Sequence, residues 1–294
     1  MKQAILITAY KNYSHLVEII NFFDNVDDFS IYIHYDKKSK LSLEEVNRIK
    51  TRKVVSHFSQ KYKVNWGSFN HLRCILYLAK EALKDKENEY FHLISGHDFP
   101  TKNKDYFKDY FSQNQLNNYL DNFEVPKMGW ANNGGLDRLE YYNFYDLFNA
   151  KVPKQKGRIK MIFRFQKKIG LKRSFSSKFP KLYGGSTWWS LNRSCLNYVK
   201  DYSKINKKVL NRFKFTLCSE EFYFQTVIMN SPFKDSVMNN NLRYIDWSAR
   251  NGNNPSVLDH SDFLNLTNHE SIFARKFEYP FSNSLLIMLK KSII

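Results

Sequence analysis

The chain has 294 residues, enough to bury a large core as one α/β domain or two small ones. With 43% hydrophobic and 17% aromatic residues, it cannot be an intrinsically disordered protein. A net charge of +18 points to anionic partners, a membrane surface or a nucleic acid, and three cysteines without ligand spacing argue against a zinc site.

Met1-Lys2-Gln3 leads directly into Ala4–Thr8, an apolar run too short for a signal peptide or a membrane span. The chain is therefore expected to be cytoplasmic, with Cys74, Cys195 and Cys218 reduced. Ala4–Thr8 predicts a buried parallel strand, and Ser14 is placed to cap a helix running to Phe23. Asp24-Asn25-Val26-Asp27-Asp28 reads as the turn into a second strand, Phe29–Tyr35, and Val54–Ser56 as a short third. Ser68 opens the clearest helix, with Leu72, Ile75, Leu76, Ala79, Ala82 and Leu83 on one face. Tyr90–Ser95 is a fourth strand, which Gly96-His97-Asp98-Phe99-Pro100 breaks. This rhythm predicts an α/β fold with a mostly parallel sheet flanked by helices, whose ligands bind beyond the strands' carboxyl ends. Thr8-Ala9-Tyr10, His34-Tyr35-Asp36 and Ser95-Gly96-His97-Asp98 stand at those ends. No Gly-x-Gly-x-x-Gly and no Walker-type Gly-Lys-Ser occurs.

The second half is less regular. Asn118–Asp121 reads as a strand and Gly129–Gly135 as a loop, and Tyr183–Leu191 as turn then strand; Arg193–Tyr202 and Ser219–Asn230 read as helices. Between Lys151 and Lys181 lie twelve basic residues and no acid, which leaves only +6 of the total charge to the rest of the chain. Ile159, Ile162, Phe163 and Ile169 are interleaved roughly at helical spacing. Such a segment suits a solvated insertion or an anionic membrane surface about equally, with a nucleic-acid contact as the lesser alternative. No linker marks a domain boundary, so one domain is expected, with a nucleotide-binding half over about 1–115 and a catalytic and acceptor half over about 116–294 that carries the basic insertion 151–182.

Three constellations could carry chemistry. Glu220 and Glu221 follow Ser219 at a helix start; acids there favour the helix dipole, and Glu221 beside aromatic neighbours could also serve as a general base. Arg275-Lys276 lies between Phe273 and Phe277, a cation pair able to hold a doubly charged leaving group. Gly96-His97-Asp98-Phe99 offers one acid where metal-dependent nucleotide-sugar transferases present Asp-x-Asp, so no catalytic metal is expected.

Taken together, Ile5–Tyr10, Ile31–Ser39, Trp66-Gly67-Ser68, Tyr90–Asn103, Gly184–Leu191, Glu220–Thr226, Leu242–Ser248 and Phe273–Phe277 resemble, in order, the core-2/I-branching enzymes and protein xylosyltransferases of glycosyltransferase family 14. The resemblance implies a GT-A-like fold, a nucleotide-sugar donor, inversion at the anomeric carbon and metal independence. It implies Glu221 as catalytic base and Arg275 with Lys276 as the diphosphate grip. Ala9, Tyr10, Asp36, Gly67 and Ser68 fall in the nucleotide-binding part, and Asp98, Arg138, Trp189, Arg243 and Trp247 on the acceptor or donor-sugar side.

The expected activity is transfer of N-acetylglucosamine from UDP-GlcNAc to a hydroxyl of a glycan acceptor, either surface polysaccharide or lipid-linked oligosaccharide. No cofactor and no nucleic acid is expected; segment 151–182 would attach the enzyme peripherally to the inner face of the membrane. UDP-xylose and UDP-glucuronate are the alternative donors. A non-enzymatic, basic membrane- or nucleic-acid-binding protein is the alternative class, told apart by a steep salt dependence of binding.

Overall fold

The computed structural model of the chain describes residues 1–24 and 27–293, so Asn25 and Val26 of the expected acidic turn lie outside the described residues. The first half runs β1 (Lys2–Ala9), α1 (Tyr13–Phe23), β2 (Phe29–Tyr35), α2 (Leu43–Lys50), β3 (Val55–Ser59), α3 (Phe69–Ala82), β4 (Asn88–Ser95), β5 (Asp98–Pro100) and α4 (Lys104–Gln113). The second runs β6 (Asn118–Leu120), β7 (Phe123–Glu124), α5 (Leu136–Glu140), α6 (Pro153–Lys168), β8 (Tyr183–Gly184), β9 (Trp189–Asn192), α7 (Arg193–Ile205), α8 (Lys207–Arg212) and α9 (Glu220–Met229). It ends with β10 (Val237–Met238), β11 (Arg243–Ile245), α10 (Phe263–Asn268), β12 (Phe273–Arg275) and α11 (Asn283–Ile293).

Seven strands form one sheet in the order β10-β6-β9-β4-β1-β2-β3. β3, β2, β1 and β4 are mutually parallel and β9 is antiparallel to both its neighbours. Side chains of a strand buried on both faces alternate between two cores. Ile5 and Ile7 of β1 join Ile31 and Ile33 of β2 under α1 and α11, while Ala4 and Leu6 meet Leu72, Ile75 and Leu78 of α3 on the other face. The sheet is therefore α/β and mostly parallel, as its apolar runs predict.

Several local expectations are corrected. Asn12, not Ser14, precedes the first helix turn, and Ser219 has helical dihedrals and makes no side-chain cap bond. Gly96–Pro100 does not simply end β4: residues 98–100 form β5, which pairs antiparallel with β12, itself parallel to β11. α2 and α4 were not expected. Ser42 and Glu45 close a reciprocal capping box on α2, and Asn103 caps α4 by accepting the Tyr106 amide proton at 2.8 Å.

Candidate functional site

The carboxyl ends of β1, β2 and β4 converge with the start of α9, and Glu221 stands in the first turn of that helix. Its amide donates to the Cys218 carbonyl at 3.0 Å, and its carbonyl accepts from Gly185 at 2.9 Å. Gly185 must be glycine, because a Cβ there would come within 1.9 Å of the Asp121 carbonyl oxygen. Gly67 is fixed for two reasons: its φ of +76° disfavours a side chain, and a Cβ would lie 2.5 Å from Leu217 Cδ1. Its carbonyl accepts the Cys218 amide proton at 3.0 Å, which locks the Trp66-Gly67-Ser68 loop to the turn before Glu221.

Arg138, from α5, donates to Glu221 Oε2 at 2.7 Å. Its guanidinium packs on both Trp130 (4.7 Å) and Phe222 (5.0 Å), which limits the orientation of the ion pair. Burial raises the Glu221 carboxyl above its ordinary range, against the pull of Arg138. The Glu221 side chain remains 28% open, which leaves an oxygen-bearing face for a substrate. Its neighbour Glu220 turns inward and meets His71 Nδ1 of α3 at 2.9 Å.

Arg275, the last residue of β12, sits opposite Asp98 in the β5 pairing. Their side chains pair at 3.3 Å (Nε to Oδ1), and the guanidinium lies over Trp188 at 4.2 Å. Asp98 is wholly buried and also accepts from the Ser95 amide (2.7 Å) and hydroxyl (2.9 Å). Burial raises its carboxyl, against Arg275, and lowers the Arg275 guanidinium, against the opposing charges of Asp98 and Glu221. Lys276 turns away from its neighbour: Nζ pairs with Glu278 at 2.6 Å and donates to Asn253 at 3.2 Å. Glu278 also holds Lys11 at 3.0 Å, and these lysines keep its carboxyl below the usual range although burial acts the other way. The cation pair of the sequence is thus two cations on separate acid partners.

Of the remaining expected residues, Tyr10 faces this cluster, with its ring 5.2 Å from that of His97 and Lys151 over it at 4.6 Å. Ala9 contributes a carbonyl that accepts the Asp36 amide proton at 2.7 Å. The Asp36 carboxylate is turned to the loop amides of Lys38 (2.9 Å) and Val64 (3.2 Å). Ser68 is buried, and the face of its loop left open is Trp66, 59% exposed. Trp247 is also exposed, on the loop flanking Lys276.

Three expected contact residues are corrected. Trp189 is wholly buried against Phe224, so it cannot touch a sugar; Trp188 is the tryptophan at Arg275. Arg243 is buried, and its guanidinium donates to Ser190 Oγ (2.7 Å) and to the carbonyls of Leu93 and Trp189 (2.9 Å each), which makes it a strut between strands. Asp98 acts on Arg275 and has no open surface of its own for a sugar. Sequence reasoning missed Trp188, Lys11, Glu278 and the Glu220–His71 pair. The adjacent Trp188-Trp189 and the strand that follows were the available signal for the first.

Among the described residues no three His, Cys, Asp or Glu side chains come together as a metal-binding group, and no helix is long and apolar enough to cross a membrane. The three cysteines are free and buried.

Xylosyltransferase 2 of Rattus norvegicus is 25% identical over 290 residues, covering 90% of this chain and 30% of the relative. Xylosyltransferase 1 of Mus musculus is 25% identical over 273 residues, covering 85% and 26%. The chain therefore spans under a third of the length of these curated relatives. Remote likeness extends to S. aureus TarS 1–349 in complex with UDP-GlcNAc (15% identity, TM-score 0.31, 41% of this chain and 34% of that one). It extends also to core-mannan synthase A (CmsA/Ktr4) of Aspergillus fumigatus in its Mn/GDP form (12%, TM-score 0.38, 81% and 72%). The sequence model of the Core-2/I-Branching enzyme family matches residues 4–267, and the chain belongs to that family.

Proposed function

We propose that the chain is an inverting, metal-independent glycosyltransferase that moves a sugar from a UDP donor, UDP-GlcNAc foremost, onto a hydroxyl of a glycan acceptor. The observation that carries this reading is the half-open Glu221 carboxylate, held by Arg138 and lifted by burial, within electrostatic reach of the Arg275 guanidinium. A base with a cation near it is what a single displacement requires.

In that displacement the acceptor oxygen attacks the anomeric carbon from the face opposite the departing diphosphate. As the new carbon–oxygen bond forms, the hydroxyl proton passes to Glu221 and the old bond's electron pair leaves on the diphosphate. Arg275, oriented by Asp98 and Trp188, takes that charge in a fork of donors, and Lys276 with Lys11 adds point charges from the other side. Trp66 offers an open aromatic face for the donor. The reading needs no divalent ion: the only acid at the end of β4, Asp98, is already engaged by Ser95 and Arg275.

UDP-xylose is a second reading of the donor, favoured by the xylosyltransferases among the relatives; UDP-glucuronate completes the set. The acceptor is read as surface polysaccharide or a lipid-linked oligosaccharide. A thermal-shift screen of UDP and these three sugars, with and without EDTA, tests the reading without an acceptor. Stabilisation by UDP and one UDP-sugar, unchanged by EDTA, is expected. No shift from any uridine nucleotide, or a shift that needs a divalent ion, would sink it.

A further inference from the structure

The basic insertion resolves into helix α6, and the two sides of that helix do different things. Its inner side is anchored. Ile159 is buried, the Phe163 ring packs on Tyr141 at 5.0 Å, and Gln166 is bonded both ways to the Tyr142 backbone (2.8 and 3.0 Å). Two of the apolar residues that suggested an amphipathic segment, Ile159 and Phe163, therefore serve the protein's own packing.

A second apolar row remains on the outer side. Met161, Phe165 and Ile169 follow at intervals of four residues, one above the other on the helix, and are 64%, 60% and 54% exposed. Leu171 beyond the helix end adds a fourth exposed side chain. Scattered exposed apolar residues need no explanation, but a contiguous row does. Lys154, Arg158, Arg164 and Lys168 surround this row by helical spacing, and among the described residues none of the four has an ion-pair partner. The ion pairs of the segment are Lys172–Glu140 and Lys181–Glu124, beyond the helix. A surface kept cationic by the absence of any acid between 151 and 181, with apolar side chains in its middle, complements an anionic lipid bilayer and no apolar groove of a neutral protein.

The same element reaches the donor side. Lys151 lies over the Tyr10 ring, and a cavity of about 360 Å³ between α6 and Trp66 is lined by Tyr145, Lys151, Lys156, Ile159 and Lys160. A helix with its side chains is about 10–12 Å across, so a bilayer on the outer face would lie roughly one helix diameter from this cavity.

We propose that the outer face of α6, centred on Met161, Phe165 and Ile169, docks the enzyme on an anionic membrane and so sets the cleft beside a membrane-borne acceptor. The acceptor clause rests on the transferase reading; the docking is measured without donor or turnover, so either can fail alone. The full chain is sedimented with vesicles of phosphatidylcholine alone or with 30% phosphatidylglycerol. Binding to the anionic vesicles only is expected. The Met161→Ser/Phe165→Ser/Ile169→Ser variant should partition at least about tenfold more weakly while keeping its melting temperature and its shift with UDP. Arg158→Gln/Arg164→Gln should weaken binding by roughly fivefold per charge. A Phe165→Cys variant carrying an environment-sensitive dye should shift to the blue on anionic vesicles. Equal partitioning of wild type and triple variant, or binding to neither vesicle, would overturn the proposal. So would self-association of the wild type that the triple variant abolishes without vesicles, which would assign the row to a second copy.

Discussion

Arg275→Met tests the core of the site without an acceptor. The substitution removes a buried cation and leaves Asp98, wholly buried and 3.3 Å away, without its counter-charge. Breaking a buried pair by deleting one partner costs about 3–5 kcal/mol, which in a chain of this size lowers the melting temperature by roughly 5–8 °C. Loss of a charged donor to the diphosphate removes about 1.5–3 kcal/mol of binding, or roughly 10- to 150-fold in affinity. UDP at a hundred times its wild-type Kd stabilises by about 2.7 kcal/mol; in the variant the same concentration would give only about 0.3–1.4 kcal/mol. Asp98→Asn/Arg275→Met separates the two effects. A neutral amide can still bond Ser95, whose hydroxyl can turn from donor to acceptor, so much of the lost stability should return while UDP binding stays weak. Differential scanning fluorimetry with and without UDP reads both quantities. If Arg275→Met leaves the UDP shift intact, or the double variant restores it, Arg275 does not grip the diphosphate.

The other predictions concern the base and its frame. Glu221→Gln keeps an acceptor for Arg138, so the UDP-sugar shift should persist while transfer falls by ~10²–10⁴-fold; turnover within threefold of wild type rejects the assignment. Since burial raises the Glu221 carboxyl and only its ionised form accepts a proton, kcat/KM should fall on the acid side, at a pH above the ordinary carboxylate range. Arg138→Met removes a stabiliser of the anion, so that acid limb should move to still higher pH; an unmoved limb belongs to another group. Gly67→Ala forces a side chain into a positive-φ residue against Leu217, and the denaturation midpoint should report a loss of about 1–3 kcal/mol. No loss would mean the loop yields without cost.

How far the sequence was readable follows from the range of each interaction. β1 was legible from its unbroken apolar run, β2 and β4 from their dense aromatic and branched residues, and α3 because its apolar stripe repeats over fourteen residues. β5, β11 and β12 have three residues each, too few for any period to show, and β5 finds its partner strand far along the chain. The capping box of Ser42 and Glu45 was a local signal for α2 that went unread. Glu221 could be singled out as an acid at a helix start, whereas its contact with Arg138, 83 positions earlier, could not. Trp188 and Trp189 show the limit most sharply. Neighbours on an extended chain point to opposite sides, so only one could face Arg275, and composition does not say which.

The pairing of β5 with β12 bears on how the enzyme comes into being. Asp98 belongs to the first third of the chain and Arg275 to its last residues before α11, and only their strand pairing brings them opposite each other. A nascent chain that has released β1 to β5 holds the elements around Tyr10 and Asp36 and the Asp98 carboxylate, but not the counter-ion of that acid. If Arg275 grips the diphosphate as proposed, that grip is completed only once β12 has been made and paired with β5.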